Sequence, residues 1–129
     1  MNDTWTDLRQ ARPPAELDWA LVWHEFQGVM LVRIPGHTEG RARRARAWRQ
    51  ALDNRFFRAW KRVPADGWID AGERLPTKAD TDEYNCVLAW DEFDGPKVTG
   101  WHQFRESGHL VRWMRIEDRR EYHGGSERA

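Results

Sequence analysis

The chain has 129 residues, 33% of them charged and 40% hydrophobic, with 21 Lys/Arg against 21 Asp/Glu. That length suits one ordinary domain or two very small ones, and nine Trp, five Phe and two Tyr supply enough bulky apolar surface to exclude disorder by composition. The single Cys, Cys86, excludes an intramolecular disulfide and a cysteine metal cluster and suits a reducing cytoplasm; no run reaches the roughly 18 apolar residues of a membrane span, and the polar start MNDTWTDLRQ carries no signal peptide.

Read in order, the chain predicts one pattern twice. Trp5-Thr6-Asp7 leads to Pro13, eight residues on, as Trp68-Ile69-Asp70 leads to Pro76. Trp19, Leu21 and Trp23 then alternate with Ala20, Val22 and His24, the period of a half-buried strand. Gln27-Gly28 is a hairpin turn, with residues 29–34 as the returning strand. A basic helix over 39–52 follows, with Thr38 as N-cap, Glu39 in its first turn and an apolar stripe of Ala45, Trp48 and Leu52. Asp53-Asn54 turns the chain into a closing strand over 56–63.

The second copy repeats the order. Leu88-Ala-Trp-Asp-Glu-Phe-Asp-Gly95 lies over Leu21-Val-Trp-His-Glu-Phe-Gln-Gly28, identical at five of eight positions, and Arg112-Trp-Met-Arg-Ile116 lies over Ala59-Trp-Lys-Arg-Val63. The offsets of the three blocks are 63, 67 and 53, so the second copy lacks fourteen residues where the first has its helix. Asp94-Gly95 predicts the second hairpin turn, 97–104 its returning strand, Ser107-Gly108 a turn and 109–116 the closing strand. The expected fold is α+β: two small tandem β-rich units, each a ββ-hairpin plus a closing strand, the first with an inserted basic helix. The units span 1–64 and 65–117, with a flexible tail over 118–129.

Trp68-Ile69, Glu73-Arg74-Leu75-Pro76, Val87-Leu88-Ala89-Trp90-Asp91 and Arg112-Trp113-Met114 resemble the domain of unknown function 551 family, a short Trp-rich module common in phages and prophages. The likeness covers about residues 67–116 and, more weakly, 4–64. The family closes on His-Trp-Met-Pro, whereas the two units here read Arg-Trp-Met-Arg and Ala-Trp-Lys-Arg. The resemblance implies a phage or prophage protein acting in the cytoplasm of a bacterial host cell. It implies no activity.

No catalytic constellation, cofactor motif or metal-ligand spacing stands out. His24, His37, His102, His109 and His123 form no His-x-x-x-His pair, and no phosphate loop or nucleophile elbow occurs. Asp91, Glu92 and Asp94 point to alternate faces or serve a turn. The informative feature is charge. Residues 39–62 hold nine bases against two acids, and residues 64–110 hold four bases against ten acids. Arg41, Arg43, Arg44, Arg46 and Arg49 are therefore candidate macromolecule-binding residues, with the acidic second unit as the alternative partner for the helix. Trp60 with Arg62, and Trp113 with Arg115, stand two apart on strands and form candidate Trp–Arg faces, or else core residues with a covering Arg. The leading expectation is a non-catalytic accessory protein binding a host protein or ribonucleoprotein complex, such as a CRISPR-type defence complex. The alternatives are nucleic-acid binding through the Arg-rich segment and nucleotide or small-ligand binding in a cleft between the units. No membrane partner is expected, and a homodimer is compatible with the sequence.

Overall fold

The computed structural model describes residues 5–116; the predicted tail over 118–129 lies outside them. The chain divides after Val63 into two compact units. Unit one holds β1 (Thr6–Asp7), β2 (Trp19–His24), β3 (Gly28–Arg33), α1 (Arg41–Ala51) and β4 (Phe57–Lys61). Unit two holds β5 (Ile69–Asp70), a 3-10 turn at Lys78–Asp80, β6 (Cys86–Asp91), β7 (Gly95–Gly100), α2 (Trp101–Glu106) and β8 (Leu110–Met114). Each unit is one antiparallel four-stranded sheet, ordered β1-β4-β2-β3 and β5-β8-β6-β7. The closing strand thus returns to the middle of its sheet, between the short edge strand and the hairpin.

The correspondence extends to single hydrogen bonds. Val22 pairs with Trp60 as Ala89 pairs with Trp113, and the β2–β4 and β6–β8 ladders both slip just before their last pair, His24 with Phe57 and Asp91 with Leu110. Trp60 Nε1 donates to the Ala11 carbonyl at 3.0 Å, and Trp113 Nε1 donates to the Arg74 carbonyl at 2.8 Å. Asp7 and Asp70 each turn the chain after the edge strand, their side chains accepting from the backbone of Arg9 and Gly72. These pairs sit at the offsets of 63, 67 and 53 read from the sequence.

Hydrophobic burial organises each unit around one sheet face and one helix. In unit one Ala20, Val22, Ile34, Trp48, Leu52 and Trp60 form the core, with Ala47 and Ala51 packed against it. In unit two Val87, Ala89, Phe104, Leu110 and Trp113 do so. Phe104 of α2 takes the part that Trp48 of α1 plays.

Four expectations are corrected. First, the helix is not confined to unit one: the strand expected over 97–104 stops at Gly100, and Trp101–Glu106 coil into α2. Gly100 is extended (φ −65°, ψ 146°), and its N–H donates to Gln103 Oε1 at 3.4 Å, which starts the turn that carries Phe104 inward. Second, α1 begins at Arg41 rather than 39. Its N-cap is Gly40 at φ 90°, not Thr38, and no acid lies in its first turn; a positive φ admits glycine most readily. Third, the docking stripe is Ala47, Trp48, Ala51 and Leu52, whereas Ala45 is exposed. Fourth, β2 is not half-buried: Ala20 through His24 are all buried. Trp5 packs edge-on against Trp23 at 5.6 Å, on the face opposite Val22.

Candidate binding surface on unit one

Each hairpin is closed by a three-residue turn, Glu25–Phe26–Gln27 or Glu92–Phe93–Asp94, with Gly28 (φ 78°) and Gly95 (φ 82°) completing the reversal. The residue before each turn holds it. His24 Nδ1 accepts from the Phe26 and Gln27 N–H groups, both at 3.1 Å. Asp91 Oδ1 accepts from Phe93 and Asp94 at 2.8 and 3.1 Å. Those backbone donors, Phe93 first, hold the Asp91 carboxyl below its ordinary value, with Lys97 adding to the effect. His24 and Asp91 therefore serve as equivalent turn caps.

The turns raise a phenylalanine at matching positions, Phe26 at 55% and Phe93 at 73% exposure. Their surroundings differ. Phe26 meets Phe56 edge to face, with centroids 5.1 Å apart, and the Arg55 guanidinium lies 4.9 Å over the Phe56 ring. Glu25, beside Phe26, is ion-paired with Arg58. Phe93 packs on His109 at 5.0 Å, and Glu92 lies 3.6 Å from the same imidazole. Neither phenylalanine stood out in the sequence, because an apolar residue beside a hairpin glycine reads as strand rather than as a protruding tip.

Four residues ahead of Arg55, α1 ends. Its predicted site residues divide in two. Arg41, Arg43, Arg46 and Arg49 are exposed, and none has an ion-pair partner among the described residues. Arg44 is turned inward instead. Its guanidinium donates to the carbonyls of Ala15 at 2.6 Å, Leu17 at 2.9 Å and Thr38 at 3.2 Å, and it pairs with Asp18 at 2.7 Å. It stitches the helix to the loop before β2, together with Trp48, whose Nε1 donates to Leu17 at 3.0 Å. In unit two, Arg105 of α2 ties to the Pro76 carbonyl at 3.1 Å in the same manner.

The Trp–Arg faces are also corrected. Trp60 is 8% exposed and Trp113 is 1% exposed. Their indole N–H groups are spent on the Ala11 and Arg74 carbonyls, and Arg74 covers the Trp113 ring at 4.9 Å. These rings close cores and offer no face to a ligand. Arg62 and Arg115 lie just beyond their strands and are exposed. At the position of Ala59, unit two has Arg112, whose guanidinium lies 5.4 and 4.8 Å from the Trp68 and Trp90 ring centroids. Trp90 is half-buried, where Trp23 is buried.

Among the described residues, no group of three His, Cys, Asp or Glu side chains could hold a metal ion, and no helix is long and apolar enough to cross a membrane. Burial, followed by the Asp82 charge, pushes the Cys86 thiol up, the opposite of what a thiolate nucleophile needs. A cleft of ≈ 310 Å³ in unit two is lined by Lys78, Tyr84, Asn85 and Trp101 to Gln103, with Trp101 and His102 stacked at 3.8 Å.

The chain matches no protein-family model, no curated protein and no solved structure.

Proposed function

We propose that this protein is a non-catalytic binding module that engages an anionic macromolecular partner through the exposed face of α1. The observation that carries the reading is the row Arg43, Arg46 and Arg49, exposed and without ion-pair partners among the described residues. Like charges on one helix repel at about 0.2–0.5 kcal/mol per neighbouring pair, and no ion pair among the described residues offsets that cost. A partner rich in phosphate or carboxylate does so. The Trp-rich motifs favour a phage or prophage accessory protein, whose partner is a host protein or ribonucleoprotein complex of the kind that defends the cell.

The test is charge reversal at Arg43, Arg46 and Arg49 to Glu together. Heparin and inorganic polyphosphate serve as anionic probes, read by fluorescence anisotropy across a salt series. The wild-type chain should bind with an affinity that falls steeply with salt. The triple variant should lose that binding while keeping its melting temperature, because exposed charges change stability by only about 0–1 kcal/mol. Equal probe binding by both proteins overturns the reading.

A further inference from the structure

We infer that the tip of the first hairpin is a base-stacking platform, so that the anionic partner is single-stranded nucleic acid; this rests on the reading of α1 above. Phosphates alone ask only for cations. An exposed aromatic ring packed on a second ring that lies under an exposed guanidinium, Arg55, asks for something more, namely a flat π-system on the same chain as the phosphates. Phe26 supplies the ring. It is 55% exposed, and its placement is constrained twice, by the His24 cap on the turn beneath it and by edge-to-face packing on Phe56 at 5.1 Å. A ring held in this way loses little freedom when a base stacks on it.

The charges about the platform are favourable. Arg55 lies over the adjoining Phe56 ring and follows the last arginine of α1, Arg49, by six residues. Of the nearby acids, Glu25 is neutralised by Arg58, and Asp53 is a single exposed carboxylate in the turn after α1. A duplex has no unstacked base to offer, whereas a single strand or a loop exposes both phosphate and base faces. The second hairpin is a built-in control. Phe93 occupies the matching position and is more exposed, at 73%. Glu92, Asp91 and Asp94 surround it, with Lys97 paired to the two aspartates. An aromatic tip in that acidic setting repels a phosphate chain.

The experiment measures anisotropy of a labelled oligothymidylate and an oligouridylate of about twelve nucleotides, within the usual site size. A duplex of equal length and inorganic polyphosphate are the comparison probes, and circular dichroism verifies the folding of each variant. The single strands should bind more tightly than the duplex. Phe26→Ala should weaken single-strand binding about 5- to 150-fold, the range of one lost base stack, and leave polyphosphate affinity unchanged. Phe93→Ala should alter neither. Single-strand affinity indifferent to Phe26→Ala, a preference for duplex, or an equal effect of Phe93→Ala overturns the platform. If polyphosphate binding is at the same time lost in the triple charge-reversal variant, the reading of α1 stands without the platform. A wild-type chain that binds neither polyphosphate nor oligonucleotide overturns both.

Discussion

The two units share a strand order, a ladder irregularity and a set of indole hydrogen bonds, yet they carry opposite charge. Over residues 5–63 there are twelve Lys/Arg against six Asp/Glu, and over residues 64–116 six against ten. Unit one has an eleven-residue α1 with four exposed arginines; unit two makes do with a six-residue α2. Both helices bury one large ring, Trp48 at 0% and Phe104 at 1% exposure. One buried ring and one arginine tie are thus enough to seat a helix on this sheet. The extra length of α1 mostly carries outward-facing charge, and the proposed binding surface rests on this contrast.

The comparison breaks most visibly in the cores. If Trp48 and Phe104 are equivalent, Trp48→Ala and Phe104→Ala should each cost about 3–5 kcal/mol, read as a lower midpoint in urea unfolding. A small effect at Phe104 would mean that α2 is a surface turn and not the counterpart of α1.

A sharper division is expected within α1 itself. Arg44→Ala removes a charged donor from the half-buried carbonyls of Ala15, Leu17 and Thr38, worth about 1–3 kcal/mol, and should lower the melting temperature without changing polyphosphate affinity. Arg46→Ala should do the reverse, with stability changed by less than about 0.5 kcal/mol. Equal stability losses from the two would erase the distinction between the anchoring arginine and the displayed ones.

The smallest expected effect separates the two turn caps. His24→Ala should cost about 1–2 kcal/mol through two lost backbone acceptor bonds, while His24→Asp should restore most of it by copying Asp91. The Asp91 cap also depends on pH. Because backbone donors hold the folded Asp91 carboxyl below its ordinary value, its contribution is complete above the unfolded value and is lost only as pH falls through the lower, folded one. In amide NMR spectra, the Phe93 and Asp94 resonances should therefore move only in strong acid, as pH falls through the lowered folded value of Asp91. Movement of these two amides already above the ordinary carboxylate range would contradict the assigned acceptor.

Much of this was legible in the chain itself. The three matching blocks at offsets 63, 67 and 53 located both hairpins and both closing strands, because strand alternation and hairpin glycines are local signals. The basic helix was legible for the same reason. The short α2 was not, since six residues hold too little of a helical period to outweigh a run that also reads as strand. The candidate site was half visible: the run from Arg41 to Arg49 stands out by composition, but Phe26 and Phe56 are thirty residues apart and meet only across a turn.

The sequence by itself determined that the pattern occurs twice, that Trp-rich strands build it, and that positive charge gathers in one half. Tertiary structure alone decided which members of those sets are available to a partner. Arg44 and Arg43 are neighbours with the same chemistry, yet one points at the carbonyls of Ala15 and Leu17 and the other at solvent, because successive residues on a helix are turned about 100° apart and only the sheet beneath defines the inner side. Trp60 and Phe26 differ likewise: the ring at the sheet centre is enclosed by residues far away in the chain, and the ring at a turn has too few neighbours to be enclosed.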